Sequence, residues 1–450
     1  FHKLRTFYRY KATVANLNIV SKKLKLQYYN LNMIALKNRL TSHLNKLSRL
    51  MGIDMNYVVK SGFWVNANFV VASLLGLISS IIFARFVSKE TYGTYQFVLS
   101  LATIIAVAVP NNVSTAILRS VAQGNEGDLI RGTKFQLRWG IIGTVVASLV
   151  SVWYAVNENF GLSFSMITIA IFMPATYALN TWTVYLQGKK EYKRLFFYTT
   201  LSTLISYASV FLVIFLKPEY IYIAVANIVA GFIANLVLYI LTIKKMKPNN
   251  KTGTDTISYG KHLSIMGIPA GLVGQLDVVL IFHYLGAEAL AIYSFATLFP
   301  ERLAGGLKFI STIIFPKFSE KSEGDVRAFF KKKFWWLMGL LSLMILGYWI
   351  LSPFIFKWLF PAYESAIPYT QVYALSFLAI GASIVHNALL SQKKIKELYI
   401  STLAYPLLKA LLLFALMFMF GVWGVIWGQI ITIIFQIIFP LYLLQKSKII

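Results

Sequence analysis

The 450-residue sequence contains no cysteine and few charged residues, which make up 13% of the chain and include only 16 acids. The absence of cysteine excludes a disulfide scaffold, thiol nucleophiles and thiolate metal sites. Soluble domains carry about 25% charged residues, so this chain has roughly half the charge that a water-exposed surface needs. The hydrophobic fraction of 58% also excludes a disordered or collagen-like chain. What remains is a protein surrounded by lipid.

Long apolar runs are abundant, and each is about 20 residues long, the length of a helix that crosses a bilayer. Twelve such runs occur: 62–84, 95–118, 135–156, 162–186, 195–216, 220–243, 263–285, 289–315, 334–356, 367–390, 398–420 and 422–444. Polar and apolar residues do not alternate within them, as they would in the strands of a membrane barrel. The sequence therefore predicts an all-α polytopic membrane protein with twelve transmembrane helices.

The basic residues predict the orientation of these helices, because cytoplasmic loops carry an excess of Lys and Arg. The termini and the even-numbered connections hold 35 of them, and the odd-numbered connections hold only Arg85, Lys89, Lys217 and Lys357. Both termini are therefore predicted to be cytoplasmic. The odd connections are too short for a catalytic domain, so we expect a transporter and not an enzyme. Since the net charge of +27 lies in these short clusters, it does not indicate nucleic acid as a partner.

Residues 1–54 precede the first span and are strongly basic, with eleven Lys and Arg and no acid before Asp54. One interpretation is a cytoplasmic arm that lies on anionic lipid headgroups. The other is an extension that is not part of the natural protein, because the chain begins at Phe and Met51 or Met55 stands just ahead of the first span. Both interpretations stay open.

An internal repeat relates the two halves of the chain. Residues 81–97 match residues 279–295 at an offset of 198, and at the same offset Gly76 matches Gly274. Each half has six spans, an even number, so both halves begin on the same side of the membrane. The repeat is therefore parallel, with its axis along the membrane normal. The domains predicted from this repeat are an N-terminal lobe at 55–243, a cytoplasmic linker at 244–262 and a C-terminal lobe at 263–450. Transporters with paired lobes hold their substrate between them and alternate its access.

Five ionisable residues are predicted to lie inside spans: Asp277, Glu301, Arg302, Lys308 and Lys409. Each costs about 3 kcal/mol at the membrane centre, so they must pair or face a water-filled cavity. We expect Asp277 to be the acidic partner of Arg302 or Lys308. Because bases outnumber acids, the surplus favours an anionic ligand over purely structural ion pairs. The five histidines have no metal-ligand spacing, and no nucleotide-binding Gly-Lys motif is present, so no cofactor is expected.

The second predicted span contains its own break, at Pro110. Proline removes a backbone hydrogen bond and frees carbonyls, which must be satisfied at membrane depth. Asn112, Thr115 and Arg119 share one helix face beyond it. Hydrogen bonding between helices and the lining of a lumen are equally good explanations of this stripe. Arg85, at the outer end of the first span, can extend its charge to the membrane surface.

The segment LLGLISSIIFARFVSKETYGTYQFVLSLATI, with Arg85, Glu90, Gly93 and Tyr95, resembles the start of Wzx-type polysaccharide flippases. A second match is QLDVVLIFHYLGAEALAIYSFATLF, which contains Asp277. These flippases belong to the multidrug/oligosaccharidyl-lipid/polysaccharide (MOP) exporter superfamily. The resemblance covers residues 55–450.

The resemblance implies a V-shaped, two-lobed fold with a cationic central cavity. It also implies transfer of a polyprenyl-pyrophosphate-linked oligosaccharide to the outer leaflet of a bacterial cytoplasmic membrane, driven by an H⁺ or Na⁺ gradient. A polysaccharide polymerase is a further expected partner. The residues expected to bind the pyrophosphate or sugars are Arg302, Lys308, Lys409, Arg119, Arg85 and Asn112, and those expected to bind the coupling ion are Asp277 and Glu301.

Two other functions remain as alternatives. A drug or cation exporter of the same fold should have a net acidic cavity. A membrane-embedded polymerase or glycosyltransferase would need catalytic acids or histidines near an outer loop, where this sequence has only short connections.

Overall fold

The computed structural model describes residues 55–319, 327–391 and 395–446, which are almost entirely helical and contain no strand. In this part of the chain the α-helices are α1 Met55–Phe86, α2 Lys89–Ala106, α3 Val113–Ala122, α4 Asp128–Val156, α5 Phe160–Leu179, α6 Thr181–Gly188, α7 Tyr192–Leu216, α8 Tyr220–Met246, α9 Thr256–Val273, α10 Leu276–Leu285, α11 Ala287–Ser319, α12 Trp335–Leu359, α13 Ile367–Tyr373, α14 Ala379–Ser391 and α15 Ile395–Lys446. A π-helix at Phe329–Phe334 precedes α12, and 3₁₀ turns at Pro361–Ala366 and Ala374–Leu378 flank α13. The basic arm predicted at 1–54 lies outside the described residues.

Each of the twelve predicted spans coincides with a helix or a pair of consecutive helices. Among the described residues, nine helical stretches are long and apolar enough to cross a membrane, and the last, Leu403–Lys446, holds two predicted spans. The other two predicted spans are the broken pair α2–α3 and the charged helix α11. The prediction of an all-α polytopic membrane protein is confirmed.

Several predicted spans are divided between consecutive helices, as α5 and α6 are at Asn180, and two of these spans line the site described below. One breaks between Ala106 and Val113, at the predicted proline, and the other between Val273 and Leu276. At the first break the Gln136 side chain donates to the Pro110 carbonyl at 3.1 Å. This bond replaces a helical partner, as the lipid interior requires.

The last two spans are joined by a reversal at Gly421. Its φ of +59° and ψ of −133° suit a residue without a side chain. A Cβ at Gly424 would overlap the backbone of Leu416, which in a continuous helix would lie more than two turns away. The chain therefore folds back on itself at this point, as two spans require.

The described residues fall into two compact units, which divide between Ala67 and Asn68, and the features that follow belong to the second. Within it we call residues 68–246 the first half and residues 256–446 the second half. The halves meet closely where α2 packs on α10 and α11: Phe97 stacks on Phe282 of α10 with ring centroids 3.8 Å apart. A Cβ at Gly93 would overlap the Ala287 backbone, so glycine permits this close approach.

The linker between the halves lies between the end of α8 at Met246 and the start of α9 at Thr256. It is fixed to the first half by Asp128, whose side chain is fully buried. The Oδ2 atom of Asp128 accepts hydrogen bonds from the Gly253 amide at 2.9 Å and the Thr256 hydroxyl at 2.7 Å. The Gly127 amide also donates to the Lys251 carbonyl at 2.9 Å. The linker thus lies against the start of α4.

A second contact lies beside this linker. Glu126 accepts hydrogen bonds from the Lys189 ammonium at 2.6 Å and the Tyr185 hydroxyl at 2.7 Å. Burial alone would raise the pKa of Glu126, but these two bonds and the charge of Lys189 outweigh it and hold the pKa below its ordinary value. The loop before α4 is therefore tied to the end of α6.

Candidate functional site

A cavity of about 610 Å³ lies between the two broken spans and the helix α11. This volume is typical of sites for small molecules and cofactors. Its polar side chains come from α2, from the break between α9 and α10, and from α10 and α11: Gln96, Ser100, Thr103, Gln275, Asp277, Tyr293, Ser294, Thr297, Glu301 and Arg302. Three of the five charged residues predicted inside spans therefore line one cavity.

Arg302 extends from α11 to the first half of the chain. Its Nη1 atom donates to the Ser73 carbonyl of α1 at 3.0 Å. Gly76, one turn further along α1, leaves space for the guanidinium, because a Cβ there would overlap it. The predicted ion pair between Asp277 and Arg302 is wrong, since Arg302 contacts α1 and the ion pairs among the described side chains lie elsewhere. A guanidinium has five N–H donors, so most remain for a ligand.

Asp277 is held by uncharged partners in the second half. Its side chain is buried in the first turn of α10, where the helix dipole favours a negative charge. The Oδ2 atom accepts from the Tyr293 hydroxyl at 2.5 Å and from Gln429 Nε2 at 2.6 Å. Oδ1 is buried without a hydrogen-bond partner in the described structure. The carboxylate therefore retains an oxygen that can bind a proton or a cation.

Glu301 lies one turn of α11 beyond Thr297 and is exposed. It accepts a hydrogen bond from the Tyr373 hydroxyl at 3.1 Å. The described lining thus contains two acids, Asp277 and Glu301, and one base, Arg302. The predicted surplus of positive charge is not found among these side chains.

The other predicted lysines fall on two different helices. Lys409, on α15, is only 7% exposed, and no hydrogen bond or ion pair joins it to another described residue. Lys308 lies in α11, but its side chain lies outside the described residues.

Three predicted site residues are placed away from the central cavity. Arg119 is exposed, stacks over Tyr259 at 5.6 Å, and lines a separate cavity of about 410 Å³ beside the linker. Arg85 is exposed in the last turn of α1. Asn112 donates to the Leu263 carbonyl at 3.0 Å, which favours hydrogen bonding between helices over lumen lining.

Sequence reasoning missed several partners in this site. Gln429 and Tyr373 carry no charge, so a search for intramembrane charges passed over them. The apolar run of the last span contains two side-chain amides, Gln429 and Gln436, and this is the signal that could have found Gln429. The repeat did single out Gly76, but only the structure shows that it makes room for Arg302.

Several solved structures share this fold. The structure of "Lipid II flippase MurJ, inward closed conformation" is 14% identical, with a TM-score of 0.61 over 85% of this chain and 87% of that one. An outward-facing MATE-family multidrug transporter of the MOP superfamily is 11% identical, with a TM-score of 0.54 over 87% and 96%. A MOP superfamily transporter from Pyrococcus furiosus is 12% identical, with a TM-score of 0.53 over 87% and 96%. At these identities the likeness concerns the fold alone, which is the MOP fold that was predicted.

Comparison of the sequence itself gives a more specific result than comparison of the fold. No curated protein matches the sequence. The family described as "Polysaccharide biosynthesis protein" matches residues 58–322, more than half of the chain.

Proposed function

The chain belongs to the polysaccharide biosynthesis protein family, and on this basis we propose that it is a flippase for polyprenyl-pyrophosphate-linked oligosaccharides. In this proposal the headgroup crosses a bacterial cytoplasmic membrane through the central cavity, while the polyprenyl chain stays in lipid. The product supplies a surface polysaccharide such as O-antigen, capsule or exopolysaccharide, which a polymerase then extends. Both termini lie in the cytoplasm, and the basic arm contacts anionic lipids.

The observation that carries this proposal is the position of Arg302. It is a cation at membrane depth that lines a cavity and is bonded to a backbone carbonyl. A guanidinium and a phosphate carry opposite charges and frequently form two parallel hydrogen bonds, whereas a backbone carbonyl is uncharged and offers a single oxygen. A pyrophosphate that enters the cavity therefore competes well with Ser73 for Arg302.

The competition between Ser73 and the pyrophosphate for Arg302 links ligand binding to movement of the two halves. Because Arg302 joins α11 to α1, its transfer to a pyrophosphate removes a contact between the halves. A ligand shifts a conformational equilibrium only if it binds one arrangement better than the other. The pyrophosphate meets this condition if its two-bond contact with the guanidinium requires Arg302 to leave the Ser73 carbonyl.

Asp277 and Glu301 are the proposed sites for the coupling H⁺ or Na⁺. The support for Asp277 is its burial and its oxygen without a partner. Lys308 and Lys409 are proposed to add positive charge to the path, and Asn112, Arg119 and Arg85 to contact the headgroup outside the central cavity.

A drug or cation exporter is the second candidate, because the described cavity lining holds two acids and one base. An organic cation would bind the carboxylates and be repelled by Arg302. The two candidates therefore predict opposite effects when Arg302 is neutralised.

The test uses purified protein in liposomes. The probes are a fluorescent polyprenyl-pyrophosphate oligosaccharide and, separately, an organic cation dye, under imposed H⁺ or Na⁺ gradients. We expect the native protein to move the lipid and Arg302→Gln to slow it by about 10- to 100-fold, as loss of a charged hydrogen bond implies. Arg302→Lys, which keeps the charge, should be less impaired. Dye transport by the native protein that rises in Arg302→Gln would overturn the flippase proposal.

A further inference from the structure

A second cavity, of about 430 Å³, lies wholly in the second half of the chain. It is formed by α9, α14 and the two arms of α15. Its polar side chains are Ser383, His386, Asn387, Tyr405 and Gln436. None of the residues that line it carries a carboxylate, an ammonium or a guanidinium. The second cavity therefore differs in chemistry from the central one, where the charged side chains lie.

Three of the five polar side chains of the second cavity are not used to hold the helices together. His386, Tyr405 and Gln436 make no hydrogen bond in the described structure, although polar side chains within spans normally bond across helices. His386 is exposed and Tyr405 and Gln436 are half-buried, so a ligand in the cavity can reach them. These side chains are therefore available to a ligand that supplies both donors and acceptors.

The lining also contains an aromatic surface. Phe435 and Phe439 are stacked, with ring centroids 4.8 Å apart and planes 12° from parallel, and both line the cavity. An anion would need a cation here and a metal ion would need a carboxylate, whereas a hydrocarbon chain would leave the amides unsatisfied. A saccharide fits all of these features, because it has hydroxyl groups at its edges and apolar C–H faces that pack on rings.

The two cavities adjoin along α9. Ala270 lines the second cavity and Gly274 lines the central one, and the Gly274 amide donates to the Ala270 carbonyl at 2.9 Å. Four residues correspond to about one helical turn, or roughly 6 Å. In a lipid-linked saccharide the first sugar is bonded directly to the pyrophosphate. One headgroup can thus reach both cavities.

We propose that the second cavity is a saccharide subsite, which binds the uncharged sugars of the transported lipid while the pyrophosphate lies at Arg302. This inference rests on the proposed flippase function and adds to it the place where the sugar is recognised. Substrate selection then depends on the second cavity, and charge recognition on the central one.

The test compares two probes, undecaprenyl pyrophosphate alone and the same lipid bearing an N-acetylhexosamine disaccharide, for binding and for transport in liposomes. Gln436→Leu removes the amide but keeps a side chain of similar size. We expect it to weaken binding of the disaccharide lipid by about 3- to 10-fold, the value of a lost hydrogen bond, and to change binding of the bare lipid less than twofold. Arg302→Gln should weaken both. Tyr405→Phe, which removes only a hydroxyl, is the second variant if Gln436→Leu fails to fold.

The matched control is Ile438→Ala, on the same arm of α15 but 60% exposed and outside the cavity; it should bind both lipids as the native protein does. If Gln436→Leu and Tyr405→Phe weaken both lipids equally, or neither, the saccharide subsite is disproved while the flippase proposal stands. If the native protein neither binds nor moves either lipid, the flippase proposal itself fails.

Discussion

The two halves of the chain handle charge in opposite ways. In the first half, three ion pairs join described side chains in the loops or at the first turn of a helix: Arg131–Asp128, Lys189–Glu126 and Lys217–Glu219. In the second half, Asp277, Arg302 and Lys409 lie inside spans, with no opposite charge within 4 Å in the described structure. The ion pairs described in the first half lie where water is near, whereas Asp277, Arg302 and Lys409 keep their charges available at membrane depth.

The internal repeat assigns this difference between the halves to particular pairs of positions. Tyr95 and Tyr293 are 198 residues apart, and each is bonded to a side-chain amide. In the first half Asn227 donates to Tyr95 at 2.7 Å, and in the second Gln429 donates to Tyr293 at 2.6 Å. Asp277 extends the second link, but its counterpart at the same offset is the buried Ser79. The matching positions therefore hold a neutral serine in the first half and an ionisable aspartate in the second.

Among the substitutions that test this difference between the halves, removal of the charge of Asp277 should have the largest effect on transport. We expect Asp277→Asn to reduce gradient-driven transport by about 10- to 100-fold, because a charged partner of the coupling ion is lost. Ser79→Ala, at the matching position, should change transport less than twofold. Transport by Asp277→Asn at the native rate under the same imposed gradient would show that Asp277 does not couple transport to an ion.

The next largest effect is expected at Gly76. Gly76→Ala places a Cβ where the Arg302 guanidinium lies, so transport should fall about tenfold if Arg302 is displaced. Gly231→Ala is the control, because no atom lies within 4 Å of the added Cβ. In a double-mutant cycle, Gly76→Ala should have no further effect in an Arg302→Gln background. Additive losses would mean that Gly76 acts independently of Arg302.

The paired tyrosines allow one substitution to be compared in both halves. Tyr293→Phe deprives the buried Asp277 and Gln429 of a partner, so the free energy of unfolding should fall by about 2–4 kcal/mol. Tyr95→Phe deprives only Asn227, and about 1 kcal/mol is expected. Thermal unfolding of both variants in one detergent measures the difference. Equal shifts would contradict the special role of the carboxylate.

The smallest effect is expected at the contact beside the linker. Lys189→Ala should destabilise the protein by less than about 1 kcal/mol, as is usual for an ion pair near the surface. Because the native pKa of Glu126 lies below the ordinary value of about 4.3, its contribution is complete at neutral pH and is lost as the pH falls through the native pKa. Unfolding measured between pH 7 and pH 3 should show the native and variant proteins converging.

Much of the fold could be predicted because apolar length alone defines a span. All twelve runs became helices, and Pro110 identified the first break. The second break, at Gly274 and Gln275, has no proline and was not predicted. Lys244 and Lys245 continue a helix despite their charge, so charge alone does not mark where a helix ends.

The site was only partly predictable. Charge inside an apolar run identified Asp277, Glu301 and Arg302, which share one cavity. Their partners could not be predicted, because a backbone carbonyl such as that of Ser73 exists at every position. The second cavity was missed for a similar reason, since neutral polar side chains are common in spans and only three-dimensional packing gathers them.

The reversal at Gly421 has a consequence for how this chain is made. Two helices with no polar loop between them leave the insertion machinery no hydrophilic segment at which to pause. The first arm, with its buried Lys409, is poorly suited to enter the bilayer alone. We therefore expect the two arms to leave the translocon together as a pre-formed hairpin. A chain that stops after Phe420 should then be retained by the translocon or degraded.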